Sequence, residues 1–196
     1  MRTEKLMNKT HTAWIAAISE TVASYRRMID GCVSQLSDEE LGQRPAPGIN
    51  SVAIILQHLG GNLLSRWTDF LMTDGEKPDR NREGEFAEWD GDRKALLEQL
   101  DRGWSSLTSA IQSLDDDDIS AELLIRGEPH TVPQALVRSI THLSYHVGQI
   151  AMIARVVHAG EWQWQTIKPG ESQQHNQSTW GTAASRAVFG KTDDSK

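Results

Sequence analysis

His142 and His146 stand four residues apart in the stretch 131–159, whose pattern is helical throughout. On a helix at ~100° per residue the two rings lie about 40° apart, and Ala135, Ser139, Ile153 and Val157 fall within about 60° of His142. The pair therefore faces inward. A buried imidazole needs a hydrogen-bond partner, and two adjacent ones cannot both be protonated cheaply in apolar surroundings. A divalent cation meets both demands by taking a lone pair from each neutral ring. His58, on the helix predicted over 51–72, is the best candidate for a third ligand, although it sits at the border of that helix's apolar stripe. By itself His-x-x-x-His is a weak motif, and one core histidine beside one surface histidine is the alternative. No glutamate lies between His142 and His146, so the zincin arrangement is absent, and no Glu-x-x-His pair points to a carboxylate-bridged di-iron bundle.

Three neutral histidines around a divalent ion leave a charge near +2 and at least one open coordination position, the pattern of a catalytic rather than a structural metal. Such an ion lowers the pKa of a bound water or holds a thiol as thiolate near neutral pH. Asn62, Arg66 and Gln149 fall on faces close to their respective histidines and are candidates for orienting a substrate, against the alternative of ordinary polar boundary residues. His11, His130, His158 and His175 fall near element ends or in loops, where surface roles are expected.

Positioning these groups requires long helices, and the chain supplies them. Trp14, Ile15, Ile18, Val22, Tyr25, Ile29, Val33 and Leu36 recur at helical spacing and predict a first helix over 8–36. Ser37 and Glu40 have capping-box spacing, so a short helical turn opens a structured connector over 37–50. Asn50 or Ser51 caps a second helix carrying Val52, Leu56, Leu59, Leu63, Trp67 and Phe70. Residues 73–85 are charged and turn-rich and read as a loop, long enough at up to about 43–47 Å to let the second and third helices run parallel. The third helix is expected over 86–114, from Phe86 and Trp89 through Ile111. The acids Asp115 to Asp118 read as a solvated helix start, with a cation site as the alternative, and 122–132 as a small hairpin. Thr131 and Gln134 have capping-box spacing with Pro133 in the first turn, and the fourth helix stops at Ala159-Gly160.

The 196 residues suit one domain with an appendage, here a bundle over 1–160 and a tail over 161–196 laid partly on it. Twenty Lys and Arg against 27 Asp and Glu give a net charge of −7, which argues against a nucleic-acid partner. The single cysteine, Cys32, excludes an internal disulfide and a cysteine-rich metal knuckle. With neither a signal-peptide core nor a membrane-length apolar run, the expectation is a cytoplasmic protein without a membrane partner.

Taken together, Gln57-His58-Leu59-Gly60-Gly61-Asn62, Ile125-Arg126-Gly127-Glu128-Pro129 and His142-Leu143-Ser144-Tyr145-His146-Val147-Gly148-Gln149-Ile150 resemble the DinB-like superfamily, in a bacterial branch of it. The run from Trp164 to Ser172 looks like that branch's C-terminal signature. The resemblance covers about residues 10–175. It implies an all-α fold, a four-helix bundle of up-down-down-up order with an extended C-terminal tail. It also implies a divalent metal, zinc or nickel, held by one histidine of the second helix and two of the fourth, the positions of His58, His142 and His146. Similar proteins include thiol-dependent S-transferases and isomerases that use bacillithiol, mycothiol or glutathione, and many are homodimers. The expected function is thus a metal-dependent transferase in which a low-molecular-weight thiol attacks a small electrophilic substrate. A metal-dependent hydrolase and a non-catalytic metal-binding stress protein are the alternatives.

Overall fold

Local capping signals account for most helix boundaries in the computed structural model of the chain, which describes residues 2–179. The chain divides into two units, residues 1–161 and 162–196. In the first, α1 (Arg2–Val33) leads into α2 (Asp38–Gly42), whose N-cap Ser37 and Glu40 form the expected reciprocal capping box. Ser51, itself buried, caps α3 (Val52–Trp67) by accepting from the Ile54 amide. α4 (Arg93–Ser113) follows a long connector, and α5 (Val132–Val157) opens on the Thr131–Gln134 capping box with proline in its first turn. Among the described residues the result is mostly helical, with one two-stranded sheet. Among the described residues no helix is long and apolar enough to cross a membrane.

Several boundaries differ from expectation. The third long helix starts at Arg93 rather than Phe86, because Gly91 at φ 91° breaks the backbone and Asp92 then caps the new helix through the Ala95 amide. Phe86 instead closes a 3₁₀ turn, Gly84–Phe86, within the connector. The acidic run opens a single 3₁₀ turn rather than an α-helix. The Asp115 carboxylate accepts from the amides of Asp117 and Asp118, ahead of a 3₁₀ turn at Asp118–Ser120. α5 ends at Val157, with His158 as its C-cap. In the second unit the tail is not wholly extended: Gly170, at φ 90°, precedes α6 (Ser172–Thr179). The expected tail anchors Trp180, Val188 and Phe189 lie outside the described residues.

The hairpin expected over 122–132 is present as β1 (Glu122–Ile125) and β2 (Glu128–Thr131), antiparallel with Ile125 opposite Glu128. Arg126 and Gly127 form its two-residue turn with φ of 57° and 75°, both in the left-handed region that a type I′ turn demands. Leu123 and Ile125 point into the core, and the turn is tied to the connector after α3, since the Asp74 carboxylate accepts from the amides of both turn residues.

Helix directions follow from paired contacts. Along α3 and α4, Gln57 meets Gln99 and Thr68 meets Ser106, so the two run parallel. Between these contacts the helices touch backbone to backbone, because a Cβ on Gly103 would run into the Gly60 carbonyl. α1 and α4 are antiparallel, with Arg26 on Asp101 and Arg93 reaching the Val33 carbonyl. α3 and α5 are antiparallel as well, His58 facing His142 and Trp67 donating to Ser139. Leu56, Leu59, Leu63, Leu100, Leu107, Leu136 and Leu143 are fully buried among these faces. Their apolar stripes fix the rotation of each helix, and so decide which way the histidines point.

Candidate metal centre

His58 is on α3, His142 and His146 are on α5, and the antiparallel packing of those helices brings all three rings together. The Nε2 atoms of His58 and His146 each lie 3.1 Å from Nε2 of His142. Three nitrogens bound to one tetrahedral ion at about 2.0–2.1 Å would stand about 3.3 Å apart, so the cluster is close to a ligand cage. Its far sides are also set. The Nδ1–H of His58 donates to Glu85 Oε2 at 2.9 Å, and that of His146 to Gln149 Oε1 at 2.8 Å. Acceptors at both Nδ1 atoms fix the tautomers and leave two Nε2 lone pairs aimed at the same third nitrogen. His142 has one Nε2 proton at most and can answer only one of them. A cation answers all three, which is the sense in which the donor set fits a divalent metal.

The electrostatics agree. Burial first, and then repulsion from the neighbouring His146 and His58, push His142 down to about 3. Burial and His58 push His146 down to about 4, against the opposing effect of its hydrogen bond to Gln149. Both rings are neutral at pH 7, the form that ligates metal. His58 is only 6% exposed and its ring stacks on Phe86 at 4.7 Å. The border position expected for it from helical phase is thus closed by the connector, which folds back over α3.

That connector carries the residues that pattern reading missed. Glu85 accepts from His58 and also from Arg80, whose Nε and Nη2 both lie 2.7 Å from its carboxylate. Burial raises the Glu85 pKa, but these hydrogen bonds outweigh it and the net shift is downward. The side chains of Arg80 and Glu85 are 3% and 5% exposed. Gly61, three residues after His58, lets the carboxylate lie against α3, since any side chain there would strike it. A buried histidine ligand calls for a second partner on its other nitrogen, and Gly60-Gly61 marks where backbone could approach. Those were the available signals for an acid arriving from the loop.

Of the other residues expected near substrate, Asn62 and Arg66 follow His58 along α3 at one-turn steps and line a cavity of about 580 Å³ that reaches His58 and His142. That volume is ordinary for a small-molecule site. Gln149 does not line it and is bonded to His146 instead. Among the described residues the three histidines are the sole His, Cys, Asp and Glu group clustered to hold an ion.

Fold and site together define a mostly helical protein with an accessible three-histidine candidate metal centre. By sequence the chain matches the family described as protein of unknown function (DUF1572) over residues 9–171, and it belongs to that family. No curated protein and no solved structure matches it.

Proposed function

We propose that the chain is a DinB-like, divalent-metal-dependent enzyme, a thiol S-transferase acting on small electrophiles. Its helices would form a four-helix bundle of up-down-down-up order. The order is supported by α3 running parallel to α4, antiparallel to α5, and α4 antiparallel to α1. The observation that carries the reading is the convergence of three imidazole Nε2 atoms, with His58 and His142 of the three lining a cavity. A metal with a purely structural role is ordinarily closed off by four protein ligands, whereas three ligands beside open space leave a position for a reacting group.

His58, His142 and His146 would hold the ion, with zinc or nickel expected from the DinB-like resemblance and both compatible with imidazole ligands. When bound, a divalent ion supplies Lewis acidity and stabilises the thiolate form of a thiol at neutral pH. The chain's own residues do the rest. Glu85 and Gln149 hold the ring orientations of His58 and His146. The Asn62 side chain makes no hydrogen bond among the described residues and offers its amide to the cavity. Phe86 covers the His58 ring and keeps water from that side. The same reading makes the chain a homodimer, supported by the exposed apolar face of α5 that carries Val137, Tyr145, Met152 and Val156.

The test is elemental analysis of purified protein and of a His58→Ala variant, followed by assay of glutathione transfer to a panel of epoxides and halogenated aromatics. We expect about one transition-metal ion per chain, lost in the variant together with transfer. A wild-type protein that neither copurifies with such a metal nor binds added zinc or nickel would sink the proposal.

A further inference from the structure

Among the described residues the cavity is lined by five arginines, Arg66, Arg80, Arg82, Arg126 and Arg138, and by no carboxylate. Three of the five have acidic neighbours. Arg80 is held by Glu85 and Glu76, Arg126 by Glu76, and Arg82 lies 3.6 Å from Glu83. The side chains of Arg66 and Arg138 have no ion pair and no hydrogen bond among the described residues. For Arg138, an exposed group on the α5 surface, that is unremarkable. For Arg66 it is not, since the residue is only 9% exposed and its Nη1 is fully buried without a partner. A buried guanidinium without a counter-charge is costly.

From these two arginines we infer that the cavity takes an oxyanion, a carboxylate or phosphate borne by the substrate, a conclusion that rests on the cavity being the substrate side of the metal centre. Arg66 and Arg138 are the counter-charges. Their placement also gives the substrate a length. Arg66 lies two turns beyond His58 on α3, and Arg138 one turn before His142 on the antiparallel α5. At 1.5 Å rise per residue the anion sits about 6–12 Å from the histidine cluster. The substrate therefore carries its acidic group several bonds from the reacting atom. Asn62, midway between His58 and Arg66, faces the segment that joins them. The pKa of Arg66 is lowered to about 10 by burial and then by the charge of Arg138, and the nearby Glu76 offsets only part of this, in keeping with a guanidinium that has no direct ion-pair partner.

Inorganic phosphate and succinate, titrated calorimetrically at fixed ionic strength into zinc-loaded and into chelator-treated full-length protein, test the inference. We expect one of the two probes to bind both forms, with affinity falling about tenfold or more in Arg138→Gln and in Arg66→Gln. Arg102→Gln, which removes an exposed arginine on α4 outside this cavity, should change it by less than about twofold. The exposed Arg138 keeps the test valid if the Arg66 variant fails to fold. The better probe names the oxyanion. Saturable binding with the same arginine dependence in a protein that takes up no zinc would uphold the anion site while removing the metal reading. The inference is overturned if neither probe binds, if Arg102→Gln weakens binding as much as the cavity variants do, or if binding needs zinc and ignores both arginines.

Discussion

Replacing Glu85 by glutamine tests how the connector serves the histidine cluster. The carboxylate receives three hydrogen bonds from buried donors, one from His58 at 2.9 Å and two from Arg80 at 2.7 Å. In Glu85→Gln the amide oxygen can still accept from one donor, but the amide NH₂ then faces another. Arg80 keeps Glu76 as its remaining acid, at 3.0 Å and shared with Arg126. Removing one member of a buried pair typically costs about 3–5 kcal/mol, and the surviving partners lower our expectation to about 2–4 kcal/mol. For a domain of this size that is a fall in Tm of roughly 5–15 °C. The metal effect is separate: without a carboxylate the His58 tautomer is no longer fixed, and zinc affinity should fall about 10- to 100-fold. Urea unfolding and chelator competition on the same preparations read both. The double variant Glu85→Leu with Arg80→Met replaces the pair by apolar side chains, so it should recover much of the stability and none of the zinc affinity. Zinc affinity within about twofold of wild type in Glu85→Gln would refute the positioning role. Unchanged stability would refute the buried-pair argument.

Glu40 accepts from the Ser37 and Ala159 amides, which together with His158 lower its pKa from 4.5 to about 2. Its folded pKa is depressed, so the stability it contributes is present above pH 4.5 and is lost as pH falls from there towards 2. Glu40→Gln should therefore flatten that part of a Tm-against-pH curve and leave its shape above pH 6 unaltered. Gly103→Ala places a methyl against the Gly60 carbonyl and should destabilise by about 1–3 kcal/mol in urea unfolding despite better helix propensity. Gly148→Ala, on α5 with open space around it, should instead stabilise by up to about 1 kcal/mol.

What pattern reading reached was local. Both capping boxes, the Ser51 cap and the hairpin are decided within a few residues, and each is present. His142 and His146 belong to the same class, since their shared face follows from helical phase alone. Phe86 and Trp89 keep the period of α4 and drew its expected start seven residues too early. The stop is a backbone event at Gly91, which hydrophobic period does not register. Glu85 was out of reach for a different reason. A charged loop reads as solvated unless something non-local buries it, and here His58 does so from α3 while Arg80 joins it from within the same connector. Gln149 was placed on the correct face for contact with His146, but periodicity does not say whether an amide meets a substrate or the back of a ligand ring.

Charge shows the same division between a sum and its placement. The chain is acidic overall at −7, yet the cavity beside the histidines is lined by arginine alone among charged residues of fixed sign. At physiological ionic strength fields decay over about 8 Å, so a small anion inside the cavity is governed by Arg66 and Arg138 and hardly at all by distant surface acids. A polyanion is different, because most of its charge would lie outside the cavity against a surface of its own sign. The anion reading therefore carries a size selection: small oxyanions enter and extended phosphate backbones are disfavoured. The negative total and the cationic cavity then act together, one excluding by repulsion what the other would otherwise attract without discrimination.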